Sequence, residues 1–285
     1  MELKIVYAII ISAALLTSSF VYSASAAVNV SGQVKNSSGS GISSARVSAE
    51  ASGFHYHSTV ANGSGQWSLS VDNGISYTID TSKDGMNRDR ETGIVGPASG
   101  ISHTINTQTP ITVKFKITSD EEFRALYGVS WRTVAKDRLF AVEPYFRGEH
   151  NIRFTDQVYY DFWDSADGTN MSSKYNEVRN ELNWPAVTNG AKVLWTVTGE
   201  SLSGDVCGVA TDAGGQNQYP SSIVKNIASP PSTSQKCIMH EISHNYGLDD
   251  LFGNQWYDVM NKDTASNLNW MPSHDDLMQQ RRGWN

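Results

Sequence analysis

From Val28 to about Ile117 apolar and polar residues alternate in short runs: VNVSGQV, ARVSAEA, GQWSLSV, ISYTIDT and ITVKFKI. The turn sequences SSGSG, ANGSG and VDNG lie between them. A period of two broken by Gly, Asn and Ser predicts strands that each bury one face, and nothing in this region carries the 3.6-residue spacing of an amphipathic helix. The expectation is an all-β sandwich over residues 27–117. After Thr118-Ser119-Asp120 the texture changes, which puts a domain boundary near residue 118. There FRALYGVS reads as a strand, WRTVAKDRLFAVEPYFRG as a helix strained by Pro144, and IRFTDQVYYDFW as a strand. SSKYNEVRNELNW then reads as a helix, AKVLWTVTG and DVCGVAT as further strands, and MPSHDDLMQQRRGW as a terminal helix starting at Pro272-Ser273. Alternating strands and helices predict a twisted mixed sheet covered by helices over residues 118–285. The fold class is therefore multi-domain, an all-β sandwich followed by an α/β domain.

A length of 285 residues suits two cores, and 39% hydrophobic with 18% charged residues is the composition of folded domains. The net charge of -7, with no Lys/Arg cluster beyond Arg281-Arg282, argues against nucleic acid as a partner. The N-terminus has one lysine at position 4, an apolar run from Ile5 to Leu16, and Ala24-Ser25-Ala26 as an A-x-A cleavage site. This predicts a signal peptide over residues 1–26. The apolar run is shorter than the roughly 20 residues that span a bilayer, so the mature chain is expected to be secreted and extracellular, with no membrane partner after cleavage. Cys207 and Cys237 are the two cysteines. In an exported chain they can form one disulfide, with two buried free thiols as the alternative.

The candidate chemistry lies in HEISHNYGLDD, His240 to Asp250. On a helix His240 and His244 project from one face and can hold one zinc ion. Glu241 stands beside the first of them, where its carboxylate can reach a metal-bound water as general base without ligating the metal. Gly247 allows the left-handed backbone that ends a helix and swings the chain back, which can bring Asp250 to the metal. A catalytic zinc has three protein ligands and one open position, and His240, His244 and Asp250 supply three. A glutamate further along cannot replace Asp250, because no glutamate follows Glu241. The other downstream candidates are Asp249, Asp258, Asp263, His274, Asp275 and Asp276; Asp250 is preferred on spacing. HExxH alone arises by chance in roughly one such chain in a hundred, whereas adding Gly247 and Asp250 lowers this to roughly one in tens of thousands.

The pattern H-E-x-x-H-x-x-G-x-x-D, with Met260 downstream in YDVMN, resembles the metzincin zinc endopeptidases. Their usual third ligand is histidine, and an aspartate there resembles the snapalysin-like group. The resemblance implies a metzincin-like catalytic domain, Zn2+ as cofactor, a protein or peptide substrate, and Met260 as the methionine beneath the metal. It also implies that DVCGVAT is the edge strand along which substrate pairs by β-augmentation. An anionic ligand offsets part of the zinc charge, leaving more work for Glu241. Astacin-like members carry a tyrosine ligand two residues after the methionine, and Lys262 stands there instead. The sandwich region, from SGQVKNSSGSGISSARVSAEA to SYTID, resembles carboxypeptidase-regulatory-like, transthyretin-like domains.

Two further readings stay open. The sandwich could be a cell-surface or matrix-binding module beside a structural zinc site, which needs a fourth protein ligand such as His274. Residues 28–117 could instead be an inhibitory propeptide, which without cysteine would have to block zinc through an aspartate. His55 and His57 in FHYHS read as an exposed polar face of a strand, Asp164 to Asn170 as a turn, and Asn29, Asn36, Asn62 and Asn170 head N-x-S sequons.

Overall fold

Side-chain alternation decides the first third of the chain. In QWSLSVD, Trp67, Leu69 and Val71 are buried while Gln66, Ser68 and Ser70 face solvent. The structure, a computed structural model, describes residues 26–51, 55–155, 158–166, 170–200, 207–211, 220–227, 231–251, 258–261, 268, 270 and 272–282. The signal peptide expected over residues 1–26 lies, except for its last residue, outside them. Seven strands follow in order: β1 (Ala27–Lys35), β2 (Arg46–Ala51), β3 (His55–Val60), β4 (Gln66–Asp72), β5 (Ser76–Ser82), β6 (Asp89–Val95) and β7 (Ala98–Thr104). Among the described residues they form two sheets, ordered β4-β1-β7 and β3-β2-β5-β6. Pairing is antiparallel except between β1 and β7. Both sheets bury their apolar faces in one cluster that includes Val34, Val47, Trp67, Val71, Ile79 and Ile101. Each such side chain stabilises by about 1.5–3 kcal/mol, which is what holds the sheets face to face.

The rest of the chain is mixed α/β. It contains β8 (Ile111–Val113), β9 (Phe115–Ser119), α1 (Glu121–Tyr127), α2 (Trp131–Phe140), α3 (Glu143–His150), β10 (Ile152–Phe154), β11 (Tyr159–Phe162) and α4 (Met171–Glu181). Then come β12 (Val193–Thr198), β13 (Gly208–Ala210), β14 (Ser221–Lys225), α5 (Pro231–His244) and α6 (Pro272–Arg281). The main sheet is ordered β11-β9-β12-β14-β13, with all pairs parallel except β13 with β14. Strand β12 is buried on both faces, as expected for the centre of a parallel sheet. Val193, Trp195 and Val197 pack into one cluster with residues of α1, α2, α3, α5 and α6, while Leu194 packs into another with α4.

Several expected elements differ. FRALYGVS is helix α1 and a following 3-10 turn rather than a strand. The Asp120 carboxylate accepts the Phe123 amide at 2.9 Å, and Glu121 and Glu122 lie in the first turn, so capping and dipole chemistry outweigh the apolar content. The long helix expected around Pro144 is two, α2 and α3, because Pro144 sits in the first turn of α3, where its missing N–H costs nothing. IRFTDQVYYDFW splits into β10, paired with β8, and β11, paired with β9. ITVKFKI, grouped with the N-terminal strands, supplies β9 near the middle of the main sheet, where Phe115 and Ile117 join the larger cluster. The change from all-β to α/β therefore falls between Thr104 and Ile111. Among the described residues no helix is long and apolar enough to cross a membrane.

Candidate active site

Helix α5 places Cys237, His240, Glu241 and His244 within two turns. The chain turns back at Gly247, whose φ of 80° is a left-handed conformation that a side chain would strain. Gly247 N–H donates to the His244 carbonyl at 2.7 Å. Asp250 is thereby returned to the two imidazoles.

The donor geometry is compact. His240 Nε2 and His244 Nε2 are 3.1 Å apart, and Asp250 Oδ1 lies 3.0 Å from the first and 3.4 Å from the second. Two ligands of a tetrahedral zinc, each about 2.0–2.1 Å from the ion, stand about 3.3 Å apart, so the three separations fit one ion. The far sides of the rings agree with this. His240 Nδ1–H donates to the Val259 carbonyl at 3.1 Å and His244 Nδ1–H to the Leu248 carbonyl at 2.7 Å, which leaves both Nε2 lone pairs turned inward. Burial works against charge on His240, but the Asp250 hydrogen bond, Glu241 and the Val259 carbonyl outweigh it and hold the imidazole above its usual value.

Glu241 is buried at 4% exposure. It lies against β13: a Cβ built on Gly208 would stand 2.5 Å from Glu241 Cγ and 2.7 Å from Cδ. Cys207 and Cys237 form the disulfide that one reading expected, and it joins the residue before Gly208 to the helix one turn ahead of Glu241. The two sulfurs and a Glu241 carboxylate oxygen lie within 4.8 Å of one another. Met260 is fully buried in the turn Asp258–Asn261.

The competing aspartates are accounted for one by one. Asp249 is exposed, and Asp263 lies outside the described residues, as does Lys262. Asp258 accepts the Met260 amide at 2.7 Å, and Asp275 and Asp276 pair with Arg88 and Arg90. His274, the candidate fourth ligand, turns to Asp258 Oδ2 at 3.0 Å. His55 and His57 are half-buried rather than exposed. His55 Nδ1 lies 2.6 Å and His57 Nε2 3.6 Å from Asp72 Oδ2, and the His55 hydrogen bond holds the Asp72 carboxyl below its usual range. Lys236 was not legible as part of the site, nor was the contact of Gly208 with Glu241; Asp258 and His274, candidates for the metal, meet each other instead.

A mixed α/β fold with a His-Glu-His helix and a returning carboxylate defines the metallopeptidase class. A model of metallo-peptidase family M12, Reprolysin_5, matches residues 109–267, more than half of the chain. The chain belongs to that family. No curated protein matches it. Among solved structures it is similar to a chaperone–substrate complex, at 14% identity over 79% of this chain and 45% of that one, with a TM-score of 0.44. It is similar also to archaemetzincin from Methanopyrus kandleri, at 14% identity over 60% of this chain and 96% of that one, with a TM-score of 0.41. Metalloproteinase-II from Bacteroides fragilis is similar at 13% identity over 87% of this chain and 84% of that one, with a TM-score of 0.42. The chain spans less than half the length of the first of these.

Proposed function

We propose that the protein is an exported endopeptidase in which His240, His244 and Asp250 hold zinc and Glu241 is the general base. The observation that carries this reading is the set of mutual donor separations, 3.0, 3.1 and 3.4 Å, beside a buried glutamate on the same helix. Zinc bound there supplies Lewis-acid polarisation of a peptide carbonyl and a more acidic water. Glu241 accepts a proton from the attacking water on its carboxylate and delivers it to the departing amine nitrogen. Gly208 and the disulfide keep that carboxylate in place.

Strand β13 runs antiparallel at the edge of the main sheet beside Glu241, which supports substrate binding as an added strand. Strands β1 to β7 are read as a β-sandwich module of the carboxypeptidase-regulatory-like kind, with β8 and β9 belonging to the peptidase. Export rests on the leader sequence. The structural-zinc alternative loses its fourth ligand, since His274 is engaged by Asp258.

The test is purified protein assayed for zinc content and casein hydrolysis, with and without chelator. Glu241→Gln is expected to keep zinc and lose at least about 100-fold in kcat/KM, the scale of general acid–base catalysis; His244→Ala is expected to lose both. Wild-type turnover in Glu241→Gln, or activity indifferent to chelator, would refute the reading.

A further inference from the structure

The turn Asp258–Asn261 touches one proposed ligand and the neighbour of another through backbone groups. The Val259 carbonyl accepts His240 Nδ1–H at 3.1 Å, and the Met260 carbonyl accepts the amide of Leu251, the residue after Asp250, at 3.0 Å. Whatever fixes this turn fixes the direction of His240 and the return of Asp250. It is held from three sides. Asp258 spans its own turn to the Met260 amide at 2.7 Å, Lys236 Nζ donates to the Asn261 carbonyl at 2.5 Å, and His274 on α6 meets Asp258 Oδ2 at 3.0 Å.

Helix α6 is itself anchored from the N-terminal sheets. Arg88 donates to Asp275 Oδ2 at 2.7 Å while pairing with Asp80 of β5 at 2.5 Å. The Arg88 and Asp275 side chains are 8% and 7% exposed, so the pair is buried. Removing one partner of a buried pair strands the other charge and is far costlier than losing a surface contact. Arg90 with Asp276, and Arg46 with Glu149, join the same two parts of the chain. His150 Nε2 faces Asp275 Oδ1 at 3.3 Å. Consecutive residues of α6 thus point one way to the N-terminal sheets, through Asp275, and the other way to the metal-site turn, through His274.

We infer that Arg88, His274 and Asp258 are positioning residues for the zinc site, which makes the N-terminal sheets a permanent brace of the peptidase and not a detachable propeptide. This rests on the ligand assignment above. Residues behind a metal ligand typically change metal affinity 10- to 100-fold when removed. Couplings passed through a further packed contact are smaller, about 2- to 30-fold.

The test uses the full chain and reads zinc dissociation by competition with a chromophoric chelator, alongside peptide kcat and KM. His274→Gln and Arg88→Gln are each expected to weaken zinc about 2- to 30-fold, with peptide KM unchanged and kcat restored by saturating zinc. Arg46→Gln removes the ion pair with Glu149 of α3, leaves the Arg88–Asp275 pair in place, and is expected to leave zinc affinity at the wild-type value. Equal weakening in Arg46→Gln and Arg88→Gln overturns the proposal, as does unaltered zinc affinity in Arg88→Gln. Should Arg88→Gln fail to fold, His274→Gln carries the test, since it leaves the ion pairs between the two parts intact; wild-type zinc affinity there also overturns the brace. Zinc retained by His244→Ala would sink the ligand assignment instead, whatever Arg88 does.

Discussion

Gly208 and Glu241 illustrate how one atom governs the reacting group. A methyl at Gly208 would stand 2.5 Å from Glu241 Cγ, so the glutamate must shift. Displacing a catalytic group by about 1 Å can cost about 100-fold. Gly208→Ala is therefore expected to lose kcat on that scale while keeping its zinc, read by peptide hydrolysis and metal analysis on one preparation; an unaltered kcat would mean that Glu241 is not held by this contact. His240, Glu241, His244, Gly247 and Asp250 were legible in the sequence because helix period and one glycine turn bring them together locally. The contacts that Gly208 and His274 make were not. Glycine in a strand looks like any weak strand position, and the His274–Asp258 contact joins residues 16 apart across two elements.

Among elements, those set by local chemistry were legible and those set by the sheet were not. Helix α4 and strand β12 lie where the residue pattern places them, α5 where the HEISH motif does and α6 where Pro272-Ser273 does. Strand β14 escaped notice because SSIVK is five residues with serines at its start, and only its place between β12 and β13 makes it a strand. Helix α1 reads as a strand from its apolar residues because its capping residue, Asp120, falls where the texture of the sequence changes. Strand β13 is short and depends on a tie to helix α5. Opening the disulfide, which spans a sequence separation of 30, is expected to lower unfolding free energy by about 3 to 4 kcal/mol on the loop-entropy model. Urea titration of a Cys207→Ser, Cys237→Ser variant measures this, and a loss below about 1 kcal/mol would show that the strand is held by its backbone pairs with β14.

At the scale of the whole molecule, two histidines record how acid acts on the fold. Burial holds His103, within the N-terminal sheets, below its usual 6.5, against the opposing pull of Asp89, Glu91 and Asp80. Burial together with Arg88, Arg282 and Arg46 holds His150 far below the same value. The unfolded chain takes up protons at these positions near pH 6.5 and the folded chain resists them. Their contribution is thus complete above that pH and declines as pH falls through the folded values. Melting temperature is expected to drop progressively below about pH 6.5, with a shallower slope in His103→Gln; an identical slope in that variant would assign the acid sensitivity elsewhere. The seam between the N-terminal strands and the mixed sheet was not foreseeable, since Arg46, Arg88 and Arg90 look like ordinary surface charges until Glu149, Asp275 and Asp276 are folded against them.

The order of these parts along the chain has a further consequence for biosynthesis. The HEISH helix leaves the ribosome before Asp250, the turn at Met260 and helix α6, so a growing polypeptide displays the nucleus of the motif without the pieces that aim it. On the proposed assignment the site is therefore complete only once α6 has been made and has met Arg88 and Arg90, which are made long before it.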